Sequence, residues 1–124
     1  MASELTGIQQ IAIPAKDIVR ATAFYRDELG FQFLMNGPNM AFFDCGGIRL
    51  YLDANPGNAE TGKNSMIYFR AENIERAHAS FRAMGVGIHQ APGIIASLPD
   101  RDVWLMWIRD SEENLLGVME ERRK

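Results

Sequence analysis

Few side chains in this sequence are of the types that usually carry catalysis or bind a metal ion. The chain has two histidines, His78 and His89, and one cysteine, Cys45. His78 lies at the margin of the apolar face of a predicted helix, which favours a partly exposed surface residue. His89 lies in a predicted strand, where it lines a cavity or forms a hydrogen-bonded, partly buried imidazole. Neither histidine has a partner at ligand spacing, and Cys45 has no neighbouring base to activate it.

Large apolar side chains recur along the predicted strands. Taken singly, each is interpreted as an ordinary core residue, because such side chains dominate protein interiors. As a set they exceed what one sheet face packed on a helix requires, and they indicate a concave apolar surface. The set comprises Phe31, Phe33, Met40, Phe42, Tyr51, Met66, Tyr68, Trp104 and Met106.

Two similar segments predict the helices against which these strands pack. Each begins with a residue that can cap a helix, Asp17 or Asn73, and each ends at a glycine, Gly30 or Gly85. Between cap and glycine, apolar residues recur at helical spacing and form one stripe per helix. The stripes are Ile18, Ala21, Tyr25 and Leu29 in the first copy and Ile74, Ala77, Phe81 and Met84 in the second. The sequence therefore predicts one structural unit used twice.

Each predicted helix follows one strand and precedes three more. The clearest strand covers residues 48–53, where apolar side chains alternate with Arg49, Tyr51 and Asp53. A glycine- and asparagine-rich segment, residues 54–64, indicates an exposed linker between the copies. The predicted organisation is a single α+β domain over residues 1–124, with module one at 7–53 and module two at 65–121.

Three polar segments of the second module are predicted to be turns or a terminus. Asp100, Arg101 and Asp102 indicate a solvated turn, from which Arg101 could reach an anionic ligand. Residues 110–114 indicate another turn. The basic residues at 122–124 are expected to form a frayed, solvated end of the chain.

Composition limits the classes of function. The chain of 124 residues has 13 basic and 16 acidic side chains, a net charge of −3, without a basic patch of the kind that binds nucleic acid. No apolar run approaches the roughly 20 residues that a membrane-spanning helix requires. The first residues show no secretory signal, and a single cysteine cannot form an internal disulfide. We expect a cytoplasmic protein that binds neither nucleic acid nor membrane.

Four segments together resemble the vicinal oxygen chelate superfamily, which includes glyoxalase I, extradiol dioxygenases and the fosfomycin and bleomycin resistance proteins. The segments are IQQIAIPAKDIVRATAFYRDELGF, GGIRLYLD, MIYFRAENIERAHASFRAMGV and VWLMWIRDSEENLLGVMEE. The resemblance implies paired βαβββ modules that form a curved mixed-sheet cup with helices on the outer face, often completed by homodimerisation. Relatives usually carry glycine at the position of Glu113, so the conformation of that turn is left open.

In metal-using relatives, the first and last strands of each module supply one ligand each. The resemblance places these positions at Gln10, Tyr51, Met66 and Gly117. A divalent ion prefers imidazole nitrogen or carboxylate oxygen, whereas Gly117 has no side chain and Met66 offers only a thioether. Gln10 is an acceptable ligand type, and its alternative role is that of a hydrogen-bonded strand amide. We expect no metal and no other cofactor.

Three functions are compatible with these features of the chain. The first is a metal-independent protein that binds a small hydrophobic or aromatic molecule in an apolar pocket. The second is a metal-dependent lyase, isomerase or dioxygenase of the glyoxalase type, and the third is a structural dimer with a filled cup. The predicted pocket comprises Gln10, Phe42, Tyr51, Met66, Tyr68, His89, Trp104 and Met106. The first function is preferred because the usual metal ligands are missing from their positions.

Overall fold

A computed structural model describes residues 4–57 and 60–124 of the chain. By its internal contacts the chain divides into two units, Met1–Ala59 and Glu60–Lys124. The predicted linker 54–64 spans this division, and its residues 58–59 lie outside the described part. Neither helix in the described residues has the length and apolar character needed to cross a membrane.

The first unit contains a helix and a four-stranded mixed sheet. Its elements are β1 (Gln10–Pro14), α1 (Ile18–Ala23), β2 (Gln32–Gly37), β3 (Met40–Cys45) and β4 (Ile48–Asp53). The helix continues beyond α1 as a π-helical turn, Phe24–Glu28. The strand order is β1-β4-β3-β2, with β1 parallel to β4 and the other neighbours antiparallel. Tyr25 and Phe43 are fully buried between helix and sheet, their rings 6.1 Å apart.

The second unit repeats this arrangement, with a shorter first strand and three longer strands after the helix. Its elements are β5 (Tyr68–Arg70), α2 (Ile74–Met84), β6 (Gly87–Ser97), β7 (Arg101–Arg109) and β8 (Leu115–Arg123). The strand order is β5-β8-β7-β6, with β5 parallel to β8 and the remaining pairs antiparallel. Ile74 of α2 is fully buried, as are Met106, Ile108 and Leu116 of the sheet. The predicted α+β class and the repeated βαβββ order are therefore confirmed, while the cup formed by both sheets stays a prediction.

The predicted helix ends are also confirmed. Asp17 accepts a hydrogen bond from the backbone N–H of Arg20 at 3.1 Å, and Asn73 accepts one from Arg76 at 2.9 Å. Gly85 ends α2 in the left-handed conformation with φ of 80°, which glycine enters without a steric penalty. Each cap satisfies backbone groups that a helix end would otherwise leave unpaired.

The last strand of the second unit corrects the expectation of a frayed basic terminus. β8 extends to Arg123 and pairs Arg122 with Asp102 of β7. The Arg122 guanidinium donates to Glu120 at 2.9 Å and to Glu75 of α2 at 2.8 Å, and it lies 4.9 Å from the Trp104 ring. Ion pairs and a cation–π contact thus hold the segment that composition alone suggested was solvated.

The outermost strand of the second sheet, β6, pairs irregularly with β7. Its register shifts between Ile88 and Gln90, between Gln90 and Gly93, and again between Ile94 and Ala96. Ile94 and Ile95 are about half exposed, at 51% and 54%. β6 is therefore a long apolar edge strand whose hydrogen-bonding pattern is interrupted three times.

The turn between β7 and β8 contains a glutamate in a backbone conformation that suits glycine. Glu113 has a φ of 71°. Asp110 fixes the turn, because its carboxylate accepts the backbone N–H groups of Glu112 and Asn114, both at 2.8 Å. The turn forms as predicted, although a non-glycine residue occupies its left-handed position.

Replacing Glu113 with glycine is expected to stabilise the protein by about 0.5–1 kcal/mol, since relief of the left-handed strain exceeds the added entropy of the unfolded chain. Urea denaturation of the wild type and the Glu113→Gly variant measures the difference. The Glu113→Asn variant is the matched control and should lie between them, because asparagine tolerates this conformation better than glutamate. A glycine variant no more stable than the wild type would contradict the assignment of strain.

Candidate functional site

The first sheet has one face packed on its helix and one face without a helix. Along β4, Leu50 and Leu52 are buried towards the helix, whereas Arg49 and Tyr51 point to the opposite side. Along β3, Phe43 is buried and Phe42 lies on the opposite side. Strand periodicity thus places Arg49, Tyr51 and Phe42 together on what we call the open face of the first sheet.

Two aromatic rings form the centre of the open face. Phe42 and Tyr51 are paired across β3 and β4, and their rings stack with centroids 5.0 Å apart and planes inclined by 13°. The Tyr51 hydroxyl accepts a hydrogen bond from Asn55 Nδ2 at 3.2 Å. Both rings are half-buried, so the stack offers aromatic surface for a further apolar group.

A polar pair borders the stack. Gln10 of β1 lies opposite Arg49 of β4, and the Arg49 Nε donates to Gln10 Oε1 at 2.7 Å. The Arg49 guanidinium carbon also lies 5.7 Å from the centre of the Phe42 ring. A cavity of about 280 Å³ adjoins these groups, lined by Gln10, Leu34, Met35, Phe42 and Arg49. This cavity combines apolar walls with one cation and one amide.

On the corresponding face of the second sheet, two aromatic rings crowd the position of Gly117. Tyr68 of β5 and Trp107 of β7 flank Gly117 of β8, and their rings lie 5.3 Å apart. A Cβ atom at Gly117 would lie 2.8 Å from Tyr68 Cδ2 and 3.2 Å from Trp107 Cζ3. No side chain larger than hydrogen fits at Gly117 without displacing one of these rings.

A second, larger cavity of about 550 Å³ lies at the end of β5. Its walls carry both charge signs, with Arg70 on one side and Glu72 and Glu121 on others. Glu121 is already paired with Arg101 Nε at 2.6 Å. That ion pair also fixes Arg101, which the sequence suggested as a possible anion-binding residue.

The four positions that the resemblance assigns to metal ligands do not fit a divalent ion. Gly117 has no side chain that could bind a metal ion, and there is no room for a larger one. Met66 is 58% exposed, and its thioether is the only ligand atom that its side chain offers. The amide oxygen of Gln10 is bonded to a cation, Arg49, which would repel a metal ion nearby. Among residues 4–57 and 60–124, no group of three His, Cys, Asp or Glu side chains is placed to hold one.

The remaining candidates from the sequence are not gathered at either face. His89 is exposed at an irregularity of β6, and His78 is half-buried on α2. Burial, with a contribution from neighbouring Asp44, raises the pKa of the Cys45 thiol, so less of the reactive thiolate forms. This environment is that of a packed cysteine and not of a nucleophile.

Of the eight predicted pocket residues, Gln10, Phe42 and Tyr51 meet on the open face of the first sheet, and Tyr68 lies in the second unit beside Gly117. Met106 is fully buried on the helix side of its sheet, opposite Val118. Trp104 lies on that same side against Arg122. Met106 and Trp104 therefore lie on the helix side of the second sheet and not on the face where the pocket was predicted.

Sequence reasoning missed Arg49, Leu34 and Met35 as cavity residues. A signal for Arg49 was present, because it alternates with buried leucines in the same strand as Tyr51. Leu34 and Met35 lie where the register of β2 against β3 shifts, between Phe33 and Met35. Such an irregularity is not visible in an alternation pattern.

The chain is similar in sequence or structure to several known proteins. The metallothiol transferase FosB of Staphylococcus epidermidis is 25% identical over 114 residues, which cover 90% of this chain and 65% of the transferase. The chain thus spans less than two thirds of that curated relative. The solved structure of lactoylglutathione lyase from Agrobacterium tumefaciens has a TM-score of 0.73 at 24% identity, covering 95% of this chain and 96% of the lyase.

An integron cassette protein from the mobile metagenome of V. Cholerae gives a TM-score of 0.77 at 19% identity, covering 97% of this chain and 98% of that one. At these identities the two solved structures support the fold alone. The family model described as Glyoxalase/Bleomycin resistance protein/Dioxygenase superfamily matches residues 7–116. With nearly its whole length matched and the βαβββ unit present twice, the chain belongs to the Glyoxalase/Bleomycin resistance protein/Dioxygenase superfamily.

Proposed function

We propose that this protein binds a small aromatic or hydrophobic molecule without a metal ion, on the open face of the first sheet. The observation that carries the proposal is the half-buried stack of Phe42 and Tyr51 beside a cavity of about 280 Å³. Binding requires only apolar burial and a few polar groups for orientation. Leu34 and Met35 supply apolar wall, and Gln10 and Arg49 supply the polar groups.

The size of the cavity favours a compact ligand. Small-molecule sites usually measure about 300–1,000 Å³, so this cavity of about 280 Å³ lies just below the usual range. A flat ring placed against Phe42 gains apolar burial and an aromatic contact, the latter contributing about 0.5–1.5 kcal/mol. A one- or two-ring compound matches these dimensions better than an extended chain.

A second candidate function is suggested by the relatives. FosB is named a metallothiol transferase, and the Agrobacterium protein is named a lactoylglutathione lyase. A metal-dependent lyase, isomerase, dioxygenase or transferase is therefore the alternative. Elemental analysis after dialysis separates the two functions: about one equivalent of Ni, Zn, Mn or Fe per chain, lost on replacing Gln10, would overturn the metal-independent proposal.

Replacing Phe42 with alanine tests the binding site directly. We expect the affinity for a neutral two-ring fluorescent probe, 1-naphthylamine, to fall about tenfold, because the probe loses an aromatic contact of about 0.5–1.5 kcal/mol together with its apolar burial against Phe42, and about 1.4 kcal/mol is tenfold. A fluorescence titration measures the dissociation constant. Circular dichroism checks that the Phe42→Ala variant is folded.

The matched control is Phe81→Ala, which removes a half-buried phenylalanine from α2 in the other unit. The affinity of the Phe81→Ala variant for the probe should equal that of the wild type. Equal affinities of the Phe42→Ala variant and the wild type would refute the proposed site. The homodimer and the cytoplasmic location expected from the sequence stay predictions.

A further inference from the structure

Arg49 lies at the border of the cavity, where its side chain contacts two neutral partners. Its interactions are the hydrogen bond to Gln10 Oε1 and the contact with the Phe42 ring. Within the described ranges, 4–57 and 60–124, no carboxylate forms an ion pair with it. Asp44 lies directly opposite in the β3–β4 register, yet the guanidinium turns to Gln10 and Phe42 instead. In the part of the chain that the structure describes, this cation thus borders the cavity without a carboxylate in ion-pair contact.

The two contacts hold the Arg49 guanidinium in place. Neither contact uses the N–H groups of Nη1 and Nη2. Gln10 binds Nε only, so Nη1 and Nη2 keep the pair of N–H donors that matches the two oxygens of a carboxylate. The amide nitrogen of Gln10 is a further donor beside them. Because Gln10 and Phe42 already hold the guanidinium group, it loses less conformational entropy on binding an anion than a freely rotating arginine side chain would.

We propose that the open face of the first sheet selects aromatic carboxylates, with the carboxylate paired to Arg49 and the ring against Phe42 and the Leu34–Met35 wall. This inference rests on the proposed function and narrows it to one ligand class. The cavity has both parts that such a ligand needs, a single cation at one border and apolar side chains at the other. Arg49 is then the residue that determines specificity.

The surrounding charges favour a monoanion over a dianion. Asp44 and Asp53 lie on the same face as Arg49, because strand alternation places them opposite Arg49 and Met40 in the register. These two carboxylates repel a bound anion, and the repulsion is stronger for the double charge of a phosphate monoester than for the single charge of a carboxylate. A carboxylate is accordingly the expected anionic group.

Binding of 2-naphthoate and 2-naphthamide tests this inference, because the two compounds share a ring system and differ in charge. Isothermal titration calorimetry of the wild type should give at least about tenfold tighter binding for 2-naphthoate. The Arg49→Gln variant should lose this preference, so that its ratio of the two dissociation constants approaches one. The control Arg76→Gln removes the same charge from the exposed surface of α2 and should retain the preference.

Equal binding of both compounds by the wild type would overturn the carboxylate inference and leave the proposed function standing. The inference is overturned in the same way if Arg49→Gln keeps the preference, or if 2-naphthyl phosphate binds more tightly than 2-naphthoate. If neither naphthyl compound nor the neutral fluorescent probe binds, the proposed function fails together with the inference. Binding of 2-naphthamide therefore distinguishes the two failures.

Discussion

Replacing Gly117 with glutamate, the residue type suited to binding a metal ion, is expected to lower the free energy of unfolding by about 2–4 kcal/mol. The new Cβ atom would overlap Tyr68, which lies 2.8 Å from its position, and overpacking of this kind typically costs about 1–3 kcal/mol. Desolvation of the new carboxylate beside the rings of Tyr68 and Trp107 adds to that cost. Urea denaturation at neutral pH, analysed by linear extrapolation, measures the loss.

A smaller substitution isolates the steric part of this effect. Gly117→Ala should destabilise the protein, and the loss should shrink in a Tyr68→Ala background, where the ring that blocks Cβ is absent. The control Gly93→Ala lies in the same sheet, and its Cβ would have no neighbour within 4 Å. Its stability should stay within about 1 kcal/mol of the wild type. Equal losses at Gly117 and Gly93 would show that Tyr68 and Trp107 do not exclude a side chain.

Replacing Glu120 with alanine is expected to lower the free energy of unfolding by about 1–3 kcal/mol. Glu120 is 8% exposed, and its Oε1 accepts the backbone N–H of Ile74 at the start of α2, at 2.8 Å. Without this acceptor, a buried donor is left unpaired, which typically costs about 1–3 kcal/mol. The neighbouring Glu121→Ala variant is the control, because the Glu121 side chain is exposed and bonds only to Arg101 among the described residues. Similar losses in both variants would contradict this role of Glu120.

The same cluster gives the stability a defined dependence on pH. Hydrogen bonding to Arg122, and then to the Ile74 N–H, lowers the pKa of Glu120 below its ordinary value of 4.5. Arg122 likewise lowers the pKa of Glu75. A lowered folded-state pKa stabilises the protein above pH 4.5, and this contribution is lost as the pH falls through the folded-state value. Denaturation between pH 7 and 3 should show a smaller decline for Glu120→Ala than for the wild type.

The repeated units could be predicted because their signals are local. Asp17, Asn73 and Gly85 mark helix ends through backbone groups within a few residues, so a linear sequence is sufficient to find them. The alternation along β4 correctly separates the buried leucines from Arg49 and Tyr51. Helix caps and strand alternation depend on backbone geometry that is the same in every protein, so a single sequence is enough to predict them.

The residues that the sequence missed or misplaced are positioned by contacts between distant segments. Arg122 is held by Glu75, 47 residues earlier, and Arg49 by Gln10, 39 residues earlier. Trp104 and Met106 belong to a strand with large side chains on both faces, so only the pairing of Met106 with Val118 shows which face is buried. Composition and periodicity carry no information on such pairings.

The irregular pairing of β6 bears on the tendency of this edge strand to pair with other molecules. An outer strand of 11 residues with exposed isoleucines is a ready template for a strand of another molecule, the first step of fibrillar aggregation. Its three shifts of register against β7 interrupt the regular spacing of the strand, and Pro92 has no N–H to donate. An incoming strand would find no long, evenly spaced ladder to extend, so β6 resists fibril growth despite its apolar surface.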